Sequence, residues 1–194
     1  MKRMLISFLV VFVILFTVSF ALNETAIANA QEEHLDILRT LLPGTTECTV
    51  VPYDGEDANI RSVHKGENGF IIETVTQGYA DEIRMMIGVN NDGKVTGLVV
   101  REAHETWGLG NNVLTDHEFL AQFLNKTGSF AVAANEADAF TGATVTAEPK
   151  GETMDVDAIT GATVTSKAVV RCVNSAIAYV TGADAVSSAT TWGG

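Results

Sequence analysis

The nonapeptide Asp157-Ala158-Ile159-Thr160-Gly161-Ala162-Thr163-Val164-Thr165, followed directly by Ser166 and a long apolar-periodic segment, decides how the rest of the chain is read. Small residues flank Thr163 and leave its hydroxyl unobstructed, while Gly161 permits a turn that a residue with a Cβ resists. Downstream, Val169, Val173, Ile177 and Val180 recur at helical spacing, with Val170 and Ala176 widening the stripe. This predicts a buried helix that begins near Thr165 or Ser166 and ends before Gly182. The loop therefore opens onto a helix N-terminus, where unpaired N–H groups and the positive end of the dipole suit a phosphate held near Thr163. A Thr or Ser in this position commonly serves only as an N-cap. What argues for more is that the string occurs twice: Asp138-Ala139-Phe140-Thr141-Gly142-Ala143-Thr144-Val145-Thr146 differs from the later copy only by Phe140 for Ile159. Capping a helix does not require so long an identity.

The chain of 194 residues allows one ordinary domain and an appendage. Its 24 acidic and 12 basic residues give a formal net charge of -12, which excludes a basic stripe able to neutralise nucleic-acid phosphates. After Lys2 and Arg3 the run from Met4 to Leu22 is apolar apart from Ser7, Thr17 and Ser19, long enough to cross a bilayer as one helix with the remainder outside the cytoplasm. Ala28-Asn29-Ala30 has the small-x-small form of a signal-peptidase site, so cleavage after Ala30 is the rival to a retained anchor, and the length of the run favours retention. Ile27, Leu35, Leu38, Leu41 and Leu42 predict a juxtamembrane helix stopped by Pro43-Gly44. The resulting division is an anchor or signal segment over 1–26, a juxtamembrane helix and variable loop over 27–68, the main domain over 69–182, and a flexible Ser/Ala/Thr/Gly tail over 183–194.

In the main domain, Gly69 to Thr76 and Ile83 to Val89 read as strands, the second joined to a strand from Lys94 to Arg101 by the turn Asn90-Asn91-Asp92-Gly93. The expected fold class is α+β, an antiparallel sheet with flanking helices behind one N-terminal transmembrane helix. Between Thr45 and Asn68 only a short strand at Cys48 to Val51 is expected. Thr115-Asp116-His117-Glu118 reads as a capping box, with Phe119, Leu120, Phe123 and Leu124 giving a short helix to Lys126, and a strand is expected around Phe130 to Ala133. Cys48 and Cys172 are not a metal motif, and two separate thiols or one bridge are both open. His104 and Glu105 lack the His-Glu-x-x-His spacing, so no zinc site is expected.

Asp-x-x-Thr-Gly-Ala-Thr, with Thr-Ser-Lys and an apolar helix after it, resembles the flavinylation site of the FMN-binding domain family. That domain is found in the G subunit of Rnf-type ion-translocating electron-transport complexes and in the C subunit of sodium-pumping NADH:quinone reductase. A second block supports the resemblance. His104-Glu105-Thr106-Trp107-Gly108-Leu109-Gly110 is similar to the family's His-x-Glu-Thr-Pro-Gly-Leu-Gly, shortened or realigned by one residue, and it follows Gly78-Tyr79, a strand, Asp92-Gly93 and a strand in the family's order.

The resemblance implies covalent FMN in phosphoester linkage to Thr163, installed by a dedicated flavin transferase. Asp157, Thr160, Gly161 and Ala162 would form the recognition string, with Thr165 also at the cofactor. His104, Glu105, Thr106, Gly108, Leu109 and Gly110 would form the floor of the flavin site, Glu105 and Thr106 bonding the polar edge of the ring. Trp107 departs from the family pattern, and either stacks on the flavin or closes the core. Thr144 is a second candidate for attachment. Pro149 and Gly151 block a long helix after it, so a single FMN, on Thr163, is expected.

The implied function is an electron-transfer subunit, without independent turnover, in a membrane redox-driven ion-translocating oxidoreductase. It would be single-pass, with the FMN domain on the extracytoplasmic side and the other subunits of the complex as partners. The alternatives are an extracytoplasmic FMN-binding module serving another reductase or membrane regulator, and a secreted structural domain without flavin.

Overall fold

The computed structural model describes residues 36–133 and 153–182. The chain divides into two compact units, Met1–Ile37 and Leu38–Gly194, and the sheet and site belong to the second. The expected membrane span, the first copy of the repeated string with Thr144, and the tail all lie outside the described residues. Among the described residues no helix is long and apolar enough to cross a membrane.

Residues 36–41 are helical (α1) and the chain turns away at Pro43-Gly44, with Gly44 at φ +82°. Five strands then form one antiparallel sheet in chain order: β1 (Thr49–Val51), β2 (Ile60–Lys65), β3 (Gly69–Gln77), β4 (Glu82–Asn90) and β5 (Val95–Ala103). Strands β3, β4 and β5 and the turn between β4 and β5 are those predicted. Asn90 organises that turn, its Oδ1 accepting from the N–H groups of Asp92 at 3.0 Å and Lys94 at 2.8 Å, while Gly93 supplies the left-handed residue at φ +77°.

Strand β2 corrects the expectation of a loop from Thr45 to Asn68 with a single strand. A register shift between Ile60 and Ser62 breaks the period-2 alternation, so Ile60 and Val63, both buried, stand three residues apart and leave no strand signature.

One face of the sheet packs on the long helix α4 (Thr163–Thr181) through Val63, Ile72, Met85, Ile87, Val89 and Val95. The other face receives the chain just after Leu38. Gly88 and Gly97 are cross-strand partners, and a Cβ on Gly88 would overlap the Leu41 carbonyl, while one on Gly97 would lie 2.9 Å from the Thr40 oxygen. This glycine pair is a notch that lets the backbone of Thr40 and Leu41 lie directly on the sheet. The Thr96 hydroxyl donates to the Leu41 carbonyl there.

Past β5 come α2 (Gly110–Thr115) and α3 (His117–Ala121). Helix α3 is capped by Asp116 rather than Thr115: Oδ1 of Asp116 accepts from the N–H groups of Glu118 and Phe119 at 2.8 and 3.0 Å, and Thr115 ends α2. The predicted extension to Lys126 unwinds after Ala121, with Asn125 at φ +59°.

A parallel pair, β6 (Ser129–Val132) and β7 (Thr153–Val156), lies against α4. Asn174 of α4 fastens β6 by donating to the Phe130 carbonyl and accepting from its N–H, both at 2.9 Å. Phe119, Phe123 and Phe130 stack edge to face beneath. Helix α4 is therefore enclosed by the sheet, β6 and α2, which is why its burial extends well beyond one stripe.

Cys48 and Cys172 are both free thiols, so no bridge forms. Cys172 is buried in α4, its Sγ 3.3 Å from the Thr76 hydroxyl, and burial pushes its pKa up.

Candidate functional site

The later copy of the repeated string links β7 to α4. Its first residue, Asp157, is held at the backbone by Gln122, whose Oε1 accepts from the Asp157 N–H at 2.9 Å and whose Nε2 donates to the Asp157 carbonyl at 3.3 Å. Thr160 and Gly161 form the turn, exposed, with Gly161 at φ +81° and the place of its absent Cβ 3.3 Å from Leu109 Cδ2. A side chain here would be strained in the backbone and crowded by Leu109. The Ala162 N–H closes the turn on the Ile159 carbonyl at 3.0 Å.

Helix α4 begins at Thr163, two residues before the predicted start, so the half-buried Thr163 is its first residue. The N-cap is Ala162. It offers no side-chain acceptor, and the first turn contains no acidic residue. The reading of this Thr-rich string as an ordinary cap therefore fails: the residues that could cap lie inside the helix. The Ser166 hydroxyl donates back to the Ala162 carbonyl at 3.0 Å, tightening the first turn. An uncapped N-terminus of a 19-residue helix, opening on a glycine turn, has the donor chemistry of a phosphate site.

The loop after β5 comes to the same place through Glu105. Its Oε2 accepts from the Thr165 hydroxyl at 2.9 Å and its Oε1 from the Ala80 N–H at 3.2 Å, tying α4 to the turn between β3 and β4. Gly78 and Gly110 are the walls, since a Cβ on either would overlap a Glu105 carboxylate oxygen. Thr165 is only 1% exposed. His104 is exposed, its Nδ1 3.5 Å from an Asp81 carboxylate oxygen in the β3–β4 turn. Thr106 is exposed at its side chain and structural at its backbone, its carbonyl accepting from the N–H groups of Leu109 and Asn111 at 3.2 Å each. Gly108, at φ +80°, faces open space, and Gly110 is the first residue of α2 rather than part of an extended loop.

Trp107 is 87% exposed, so it does not close the core. Tyr79 at 70% and Leu109 at 48% are exposed as well. Tyr79 and Trp107 stand on the two loops that Glu105 ties together, and Leu109 adjoins the motif turn. Exposed apolar side chains on these loops, with Leu109 against the turn that opens α4, fit a flat aromatic group carrying a phosphate.

The structure thus unites Asp157, Thr160, Gly161, Ala162, Thr163 and Thr165 with Glu105, Leu109 and Gly110. It leaves the side chains of His104 and Thr106 outside the hydrogen-bonded network that joins them. It adds two groups that reasoning from the sequence missed, Gln122 and the Ala80 amide. A glutamine after a short helix and a backbone N–H in a turn have no signature in the sequence. Among the described residues no cluster of His, Cys, Asp or Glu could hold a metal ion.

A profile of the FMN-binding domain matches residues 78–149 and 147–178. The chain is 35% identical over 88 residues to the G subunit of the Na(+)-translocating ferredoxin:NAD(+) oxidoreductase complex of Acetobacterium woodii, a match covering 41% of this chain and 42% of that protein. It is 30% identical over 159 residues to the G subunit of the ion-translocating oxidoreductase complex of Aliivibrio fischeri, covering 68% of this chain and 75% of that protein. The match thus spans less than half of the Acetobacterium protein and three quarters of the Aliivibrio one. Among solved structures, Shewanella oneidensis NqrC matches with a TM-score of 0.42 at 23% identity, over 70% of this chain and 64% of that one.

Proposed function

This chain belongs to the FMN-binding domain family, and we propose from that premise that it is the electron-transfer subunit of a membrane ion-translocating oxidoreductase, with FMN joined covalently to Thr163. The observation that carries the reading is the start of α4: Thr163 is the first helical residue, its N-cap lacks a side-chain acceptor, and no carboxylate lies in the first turn. A phosphate on the Thr163 hydroxyl would meet the free N–H groups of that turn and the positive end of the helix dipole.

FMN, when bound, supplies the redox chemistry by accepting and releasing electrons. The protein holds and shields it. Gly161 and Gly108 keep the approach open, Trp107, Tyr79 and Leu109 offer apolar surface for the ring, and Gln122 fixes where the motif loop begins. The relatives named as subunits of ion-translocating complexes support other subunits of such a complex as the partners that give and take electrons. A flavin transferase would be needed for attachment. Lys2 and Arg3 before the apolar run Met4 to Leu22 support a retained single-pass anchor with the FMN domain on the extracytoplasmic side.

The test is co-production of the full chain with a flavin transferase, followed by denaturing electrophoresis under ultraviolet light and intact-mass measurement. The expected result is a fluorescent band at the chain's own mass with one FMN added, absent from Thr163→Val. Denatured Thr163→Val protein with a full complement of FMN refutes the assignment.

A further inference from the structure

The repeated string poses a question that its own residues do not answer. Two stretches identical at every position but one, Asp138–Thr146 and Asp157–Thr165, offer a transferase the same local sequence, with Thr144 and Thr163 in the same place. We propose that Glu105 is the positioning residue that selects Thr163, by locking the first turn of α4 through Thr165. The proposal rests on the reading that Thr163 carries FMN.

Glu105 is built into this role from both sides. Each carboxylate oxygen has its own donor, the Thr165 hydroxyl on Oε2 at 2.9 Å and the Ala80 N–H on Oε1 at 3.2 Å. Gly78 and Gly110 wall the carboxylate in, and a Cβ on Gly110 would also come within 2.8 Å of the Thr165 hydroxyl oxygen. With a protein donor on each oxygen, Glu105 is a brace between α4 and the β3–β4 turn.

Its effect reaches Thr163 by helix geometry. Side chains two residues apart are separated by roughly 200° around an α-helix. Holding Thr165 inward therefore turns Thr163 outward, in keeping with the 1% exposure of the one and the half-burial of the other. The hydroxyl from which Glu105 Oε2 accepts is that of Thr165, in the later copy of the string.

In the transfer itself, the Thr163 hydroxyl oxygen forms the bond to the FMN phosphorus of a flavin dinucleotide. The anhydride bond from that phosphorus breaks, a nucleoside monophosphate departs, and the hydroxyl proton passes to a base of the transferase. No electrons are exchanged. Glu105 takes no part in those bonds and acts only on the direction from which the hydroxyl is reached.

The experiment measures flavin on Thr163 and on Thr144 by peptide mass mapping of the full-length chain co-produced with a flavin transferase. Wild type is compared with Glu105→Gln, Thr165→Val, Thr165→Ser and Gly110→Ala. Gln puts a neutral NH2 donor in place of one carboxylate oxygen, so the charge-assisted bond from the Thr165 hydroxyl is lost and only a reversed, neutral one can replace it. Losing a hydrogen bond to a charged group should lower the ratio of Thr163 to Thr144 occupancy by about tenfold or more in Glu105→Gln and Thr165→Val. Gly110→Ala, which leaves both side chains in place but crowds them apart, should do the same, and Thr165→Ser, which retains the hydroxyl, should keep the wild-type ratio. The ratio is internal to each sample, so a lower yield of folded protein does not imitate the effect. An unchanged ratio in both Glu105→Gln and Thr165→Val overturns the proposal, as does a Thr165→Ser protein that behaves like Thr165→Val. Wild-type protein with no flavin on Thr163 instead overturns the reading beneath it.

Discussion

Gln122 pairs with the backbone of Asp157 as a neighbouring strand would, one amide group taking both the N–H and the carbonyl across 35 residues of sequence. Residue 157 is where β7 has ended and the motif loop begins, so this side chain fixes the direction in which the loop leaves. Replacing Gln122 with Ala should cost about 0.5–1.5 kcal/mol, the net worth of an ordinary hydrogen bond, because the freed Asp157 groups are exposed and are taken up by water. The local sign is faster hydrogen exchange at the Asp157 amide with little change inside β3 and β4. Unaltered exchange at Asp157 would contradict the role given to Gln122.

Gly88→Ala should destabilise the fold without touching the flavin site. Its added methyl overlaps the Leu41 carbonyl where that carbonyl lies on the sheet, and overpacking of this kind costs about 1–3 kcal/mol. Thermal unfolding should report the loss, and FMN attachment below the melting temperature should be retained. An unchanged melting temperature would mean that the chain at Leu41 moves aside freely.

Alkaline pH should weaken the protein through Cys172. Burial holds its thiol pKa above the ordinary value of 9.0, so the unfolded chain gives up this proton at a lower pH than the folded one. The thiol's contribution to stability is therefore intact below pH 9.0 and erodes as pH rises above it. Cys172→Ala should flatten the alkaline fall in denaturation midpoint. In native protein a thiol reagent should reach the half-buried Cys48 and spare Cys172 until unfolding. Equal labelling rates for the two thiols would contradict this.

The anchor makes a separate prediction. Full-length protein should stay with membranes through an alkaline carbonate wash and be digested by protease added from the extracytoplasmic side, whereas a chain beginning at Gln31 should be released. Mature wild-type protein with Gln31 at its N-terminus in the soluble fraction would refute retention of Met4 to Leu22.

The sequence by itself determined the elements whose signals are local. The Asn90–Gly93 turn, the strands on either side of it and the apolar period of α4 could each be read within a short window, because turn chemistry and helical spacing act over a few residues. The motif string was legible for the same reason, down to Gly161, whose positive φ is what only glycine accepts readily.

What the tertiary structure alone decided are the relations between distant residues. Strand β2 escaped notice because a bulge displaces its alternation, and only pairing with β3 makes it a strand. Glu105 was legible as part of a flavin-site block, but its two donors come from Ala80 and from Thr165, the latter 60 residues away, and only the fold brings them to it. Gly88 and Gly97 owe their role to the chain at Thr40 and Leu41 that lies on them. In each case a residue's role depends on what another segment brings to it, and no local pattern encodes that partner.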